Sequence, residues 1–193
     1  MFKQTLSIFT LMTLVSVGGM ARAGHSTHGH GGVSSSQVRS TSTTITQTLS
    51  TAQAEGLIFM AEEEKIARDV YTHLAKTWGA RVFTNIIPSE QRHMDSIEGL
   101  LVQHDLPVPS TMDQEGVFEN EELQSLYDTL IAMGDSSLSD AFEVGVMIEE
   151  KDIEDLSALL QDSEISSDVA RVYNQLLSAS YNHLDAFNRE LAQ

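Results

Sequence analysis

The stretch Phe83-Thr84-Asn85-Ile86-Ile87-Pro88-Ser89-Glu90-Gln91-Arg92-His93-Met94-Asp95-Ser96-Ile97-Glu98-Gly99-Leu100-Leu101 sets the architecture. At about 100° of rotation per residue, Phe83, Ile86, Glu90, His93, Ile97, Leu100 and Leu101 share one stripe. The segment therefore reads as an amphipathic helix whose apolar face holds a Glu-x-x-His pair. Burying a carboxylate without compensation costs several kcal/mol, so an acid on such a face protonates, pairs or binds a cation.

The flanking segments show the same feature. The preceding one aligns Leu57, Met60, Ala61, Glu64, Ala67, Tyr71 and Trp78, with Glu62 and Glu63 off the centre of the stripe. Further on, Ala141, Gly145, Ile148, Glu149, Asp152, Leu156 and Leu159 align, while Glu150, Lys151 and Glu154 face away. The last segment aligns Val172, Leu176, Ala179, Ser180, His183, Ala186 and Phe187. Arg68 and Arg92 flank these stripes, and a buried ion-pair network accounts for any one of the acids taken singly. It accounts less well for four helices that each place one or two oxygen or nitrogen ligands inward at similar depth. By helical phase Tyr71 and Tyr181 lie near the same level, as packed phenols with a satisfied hydroxyl or as neighbours of a bound ligand; Trp78 and Phe187 read as core.

Helices are predicted at about 52–78, 84–104, 119–133, 137–161 and 167–191. Start signals support them: Ser50 with Gln53 has capping-box spacing, Ser137 with Asp140 is a weaker version, and Ser166-Ser167-Asp168 offers a cap for the last helix. Pro107 and Pro109 end the second helix, and Pro88 must either start or kink it. Strand-like alternation is absent. The expected fold is all-α: a four-helix bundle over residues 52–193, with a crossover connection carrying a short extra helix.

Composition narrows the function. The chain has 193 residues, 11 Lys+Arg against 28 Asp+Glu, a formal charge of -17 and no Cys. Such acidity opposes nucleic acid and anionic lipid as partners. Without Cys there is no thiolate ligand or nucleophile, so any metal must sit on His and carboxylate. Lys3, the apolar run at residues 6–17 and Ala21-Arg22-Ala23 before Gly24 read as a signal peptide cleaved after Ala23. That run is shorter than the ~20 residues a membrane span needs. An exported protein, periplasmic or extracellular and free of the membrane after cleavage, is expected. Residues 24–51 are His/Gly-rich and then Ser/Thr-rich, with too little apolar surface to fold. Within them His25, His28 and His30 form either a loose metal-capturing tail or part of a plain spacer.

The arrangement resembles the ferritin-like superfamily, especially rubrerythrin-type di-iron carboxylate proteins. Glu64-Lys65-Ile66-Ala67-Arg68-Asp69-Val70-Tyr71 is similar to their first-helix Glu-x-x-Ala-Arg-x-x-Tyr, and Glu90-Gln91-Arg92-His93 to their second-helix motif. Residues 61–71, 89–94 and 144–156 are more similar still to an exported bacterial and archaeal ferritin-like family of uncharacterised function. The resemblance covers about residues 52–191. It implies Glu64, Glu90, His93, Glu149 and His183 as metal ligands, iron as the metal, with a di-iron pair expected and manganese the alternative, and peroxide or dioxygen as the oxidant in a peroxidase-like or ferroxidase-like reaction. Pairing into a homodimer is common among such bundles. One departure concerns the last helix, which reads Ser180-Tyr181-Asn182-His183 where the family has Glu-x-x-His. Either Asp152 supplies the absent carboxylate, or one metal binds. The alternative function is a non-catalytic metal-binding or structural bundle.

Overall fold

The computed structural model describes residues 48–193; the expected signal segment and nearly all of the expected tail, including His25, His28 and His30, lie outside the described residues. Those described form five helices and no strand: α1 Thr51–Trp78, α2 Arg81–Gln103, α3 Glu121–Gly134, α4 Leu138–Leu159 and α5 Ser167–Leu191.

Local chemistry fixes most boundaries. Ser50 Oγ accepts from Gln53 N at 3.2 Å and Gln53 Oε1 accepts from Ser50 N at 2.9 Å, so the capping box forms. Asn120 Oδ1 caps α3 by accepting from Glu122 N at 2.9 Å and Leu123 N at 3.2 Å, and Ser137 Oγ caps α4 from Asp140 N at 3.0 Å. The second helix departs from expectation. It begins at Arg81 rather than near residue 84, because Gly79 ends α1 in the left-handed region at φ 65° and the chain reverses at once. Pro88 does not start it, lying inside α2. The donor that Pro88 withholds from the Thr84 carbonyl is outweighed by the burial of Val82, Phe83 and Ile86 before it and Met94, Ile97 and Leu101 after it.

α1 packs against α2, α2 against α5, α5 against α4 and α4 back against α1, while α3 lies across α1 and α4. The ring encloses two apolar clusters. One contains Val70, Tyr71, Leu74, Phe83, Phe142, Ile148 and Phe187, and the other Leu57, Met60, Met94, Ile97, Leu101, Leu156, Tyr173 and Leu176. Along α1 and α5 the chain passes from the second cluster to the first, and along α2 and α4 from the first to the second. In each of these helices the inward polar residues fall at the changeover, so a polar layer separates two hydrophobic halves. Since α2 and α4 run in the same sense, the link between them must travel the length of the ring, which residues 104–120 and α3 do.

That link is tied to the outer flank of α1. Lys65 Nζ, fully buried, donates to Asp69 Oδ2 at 2.5 Å and to Gln114 O at 2.8 Å, and sits 4.0 Å from the centre of the Phe118 ring. Arg68 donates to Asp69 Oδ1 at 2.8 Å, Gln91 Oε1 at 3.0 Å and Met112 O at 3.1 Å. Glu62 accepts from Glu119 N at 2.6 Å and Asn120 N at 3.2 Å. Sequence phase put Glu62 and Glu63 off the buried stripe, but both are buried, because α3 and the link cover this second flank of α1. Arg68 serves the link rather than the inner acids, and Arg92 is exposed.

Candidate metal centre

Five inward side chains converge in the polar layer. Glu64 comes from α1, Glu90 and His93 from α2, Glu149 from α4 and His183 from α5. Among the described residues two groups could each hold an ion: Glu64, Glu90 and His93, and Glu90, Glu149 and His183, with the ligand atoms of each group within 4.8 Å of one another. Glu90 belongs to both. Its Oε2 lies 3.0 Å from His93 Nδ1 and its Oε1 2.8 Å from His183 Nδ1. Glu64 Oε2 completes one side at 3.1 Å from His93 Nδ1, and Glu149 Oε1 the other at 3.5 Å from His183 Nδ1. The result is a pair of acid–imidazole sites that share one carboxylate.

Two further contacts orient this set. The Tyr71 hydroxyl donates to Glu149 Oε1 at 2.7 Å, and Ser89 Oγ lies 3.4 Å from His93 Nε2. Outer partners of this kind hold a ligand's orientation and tautomer.

The donor set fits hard transition-metal ions, and the atoms left without hydrogen bonds test that fit. Glu64 Oε1, Glu90 Oε1 and His183 Nδ1 are buried with no hydrogen-bond partner. For the last two this holds although they are 2.8 Å apart: the distance suits a hydrogen bond and the alignment does not. Lone pairs that crowd without pointing at one another suit a common cation between them. Lys65 and Arg68 are spent on Asp69 and the link rather than on these acids.

Electrostatics describe the same strain without metal. Burial raises Glu64 to about 7 against the pull of His93, and burial raises Glu149 to about 7 against that of His183. Against burial, His183 and His93 draw Glu90 down to about 2. Also against burial, neighbouring carboxylates lift His93 to about 10 and His183 to about 9. The layer is a proton-loaded cluster that a cation of matching charge can replace.

Asp152 reaches the layer from α4 but belongs to neither group of converging atoms; burial and the charges of Glu64 and Glu149 raise its carboxyl well above the usual range. Ser180 is buried, and its hydroxyl donates to Leu176 O at 3.1 Å within its own helix. Tyr181 is a correction: it is 53% exposed, whereas Tyr71 is wholly buried beside the site. Phe187 is core as expected, and Trp78 packs at its edge with Nε1 donating to Gly134 O at 2.8 Å. Lys151 was expected to face away, yet it is half-buried and paired with Asp155. Helical phase left Glu63 off the centre of its stripe, yet it is buried, and burial together with the nearby charge of Asp155 pushes its carboxyl well above the usual range. The signal was the run Glu62-Glu63-Glu64 itself, since three consecutive acids on a helix covered on two flanks cannot all reach solvent.

Comparison with known proteins agrees with this fold. Residues 53–193 match a family described as an uncharacterized protein domain (DUF2202). The uncharacterized protein MJ0754 of Methanocaldococcus jannaschii is 43% identical over 145 residues, which are 75% of this chain and 78% of that protein. The crystal structure of hypothetical protein MJ0754 from Methanococcus jannaschii is similar at a TM-score of 0.74 and 43% identity, covering 76% of this chain and 83% of that one.

Proposed function

We propose, for a chain that belongs to the DUF2202 family of uncharacterized domains, an exported ferritin-like bundle that holds two iron or manganese ions and reacts with peroxide or dioxygen. One observation supports this reading above the rest: Glu90 presents one oxygen to each of two imidazoles, 3.0 Å from His93 and 2.8 Å from His183, in a layer from which Lys65 and Arg68 are held away by Asp69.

In this reading Glu64 and His93 hold one ion, Glu149 and His183 the other, and Glu90 serves both. Carboxylate and imidazole ligands suit iron and manganese rather than soft metals. A pair of such ions, when bound, supplies the two electrons that reduction of peroxide consumes. The residues around it do the rest. Tyr71 fixes Glu149 by donating to Oε1. Val70, Phe83 and Phe187 on one side and Met60, Met94 and Leu176 on the other keep bulk water from the layer. Five converging ligands, with Ser180 where the ferritin-like pattern has a further Glu, leave part of each ion's coordination to small molecules.

Metal analysis of the purified chain tests the proposal. About two equivalents of iron or manganese are expected in the wild type, with loss in Glu90→Ala and His93→Ala variants that keep their helical content. Equal metal in all three overturns the site. Metal that stays bound but turns over no peroxide or dioxygen favours the non-catalytic binding module.

A further inference from the structure

The four ring helices meet along unequal seams. α1 packs closely on α2 and α4 on α5, while the α1–α4 and α2–α5 seams are looser. α3 lies over the α1–α4 seam, whereas among the described residues no helix lies over the seam between α2 and α5. At the level of the centre the α1–α4 side is also bridged by Tyr71, whose hydroxyl donates to Glu149. On the α1–α2 side, Arg68 bonds to both Gln91 of α2 and the Met112 carbonyl of the link. The two apolar clusters close the layer along the bundle axis.

The ligands show the same asymmetry. The side chains of Glu64, Glu90 and Glu149 are each 1% exposed, but that of His93 is 10% exposed and that of His183 12%. These two imidazoles come from α2 and α5 and lie nearly parallel, with 5.8 Å between ring centres and 26° between planes. Their Nδ1 atoms turn inward to Glu90, so the opposite edges of the rings border the uncovered seam. Ser89, half-buried one turn before His93, stands beside that edge with its hydroxyl 3.4 Å from His93 Nε2. Farther along, the same seam widens into a cavity of about 320 Å³ whose wall includes Ile86, one turn before Glu90, and Ala186, one turn after His183. Protein interiors are close-packed, so an ion or small molecule passes most readily where helices meet loosely, and clefts between bundle helices are where ligands are taken up.

We propose that the α2–α5 seam is the mouth of the centre, and that metal ions and the small oxidant pass between His93 and His183 to reach it. Ser89 and Ala179, both half-buried and each one turn before one of these imidazoles, set its width. The proposal rests on the two-ion reading and adds the path by which that centre exchanges its contents.

The test is the rate of Mn²⁺ exchange in the full metal-free chain, with uptake followed by a metal-sensitive dye and release by transfer to excess chelator. A narrowed mouth adds the same barrier in both directions, so it slows uptake and release equally and leaves affinity alone. Ser89→Met, judged against Ser89→Ala so that loss of the hydroxyl cancels, and Ala179→Met, judged against the wild type, should each slow both rates by roughly tenfold. Unchanged affinity in the same comparisons also shows that the variants are folded. Ser125→Met, on the exposed face of α3, should change neither rate. Unchanged rates in either of the two seam variants overturn the mouth and leave the centre intact. So does a loss of affinity carried by release alone, which would make these positions supports of the ligands. A wild type that takes up no Mn²⁺ overturns the centre, and the mouth with it.

Discussion

Tyr71 and Glu149 join α1 to α4 through the middle of the ring, the hydroxyl donating to Oε1 across 2.7 Å. The neighbouring His183 Nδ1 is 3.5 Å from the same oxygen and is not aligned for a hydrogen bond. Tyr71→Phe should therefore free Glu149 to rotate while keeping the ring packed on Phe83 and Phe187. The expected cost is about 1 kcal/mol of stability and roughly tenfold in metal affinity, read from denaturant unfolding and competitive chelation. Unchanged affinity would make Tyr71 a packing residue only.

Metal binding should tighten as pH rises. In the metal-free fold Glu64 and Glu149 stand at about 7, His93 at about 10 and His183 at about 9, all above their ordinary values. Groups raised by folding stabilise the fold at low pH, and that contribution fades as pH climbs through each folded value. The metal-free chain thus loses stability on their account from about pH 4.5 upward. Glu90, lowered to about 2, works the other way, and its contribution is lost as pH falls below about 4.5. A bound cation replaces those protons, so binding releases them. The rise in melting temperature on adding Mn²⁺ should be small at about pH 5 and larger at about pH 8; equal rises at both would contradict the assigned ligands.

Asp69→Ala should destabilise more than any exposed acid. This one carboxylate receives Lys65, Arg68 and the Gly116 backbone N–H, and it is 1% exposed. Its removal strands a buried ammonium, which costs about 3–5 kcal/mol. Since the link from α2 to α4 hangs on this network, residues 104–120 should become cleavable by protease before the helices unfold. Protease resistance equal to the wild type would refute the anchoring role.

Gly145→Ala should also be costly, through overpacking. A Cβ there would lie 2.6 Å from two atoms of the Phe187 ring. That ring is hemmed in by Tyr71 at 5.2 Å and Phe83 at 5.5 Å between centroids, so it has little room to retreat. A loss of about 1–3 kcal/mol is expected in chemical denaturation; a neutral substitution would mean that α4 and α5 can separate at no cost.

Helical phase made much of the centre legible. Glu64, Glu90, His93, Glu149 and His183 were all assigned inward from 100° spacing, and all five meet in one layer. The capping box at Ser50 and Gln53 was readable because it is local chemistry. What phase cannot show is how many flanks of a helix are covered. Glu62 and Glu63 fell off the centre of the apolar stripe, yet they are buried, as are Lys65 and Asp69, on the flank of α1 that faces α3 and a link whose path depends on the whole fold. Tyr181 failed for the opposite reason: two positions from His183, it lies about 200° around α5, on the open side.

The polar layer also governs how the protein comes apart. Each helix of the ring threads both apolar halves, but the halves meet only across acids and imidazoles that repel water poorly and attract one another only when correctly protonated. The interior is thus divided into two apolar clusters on either side of the layer. On the proposed two-ion reading, an ion shared through Glu90 would join them into a single cooperative unit. In that reading, loading of the centre would also complete folding, and the metal-free chain should melt below the loaded one.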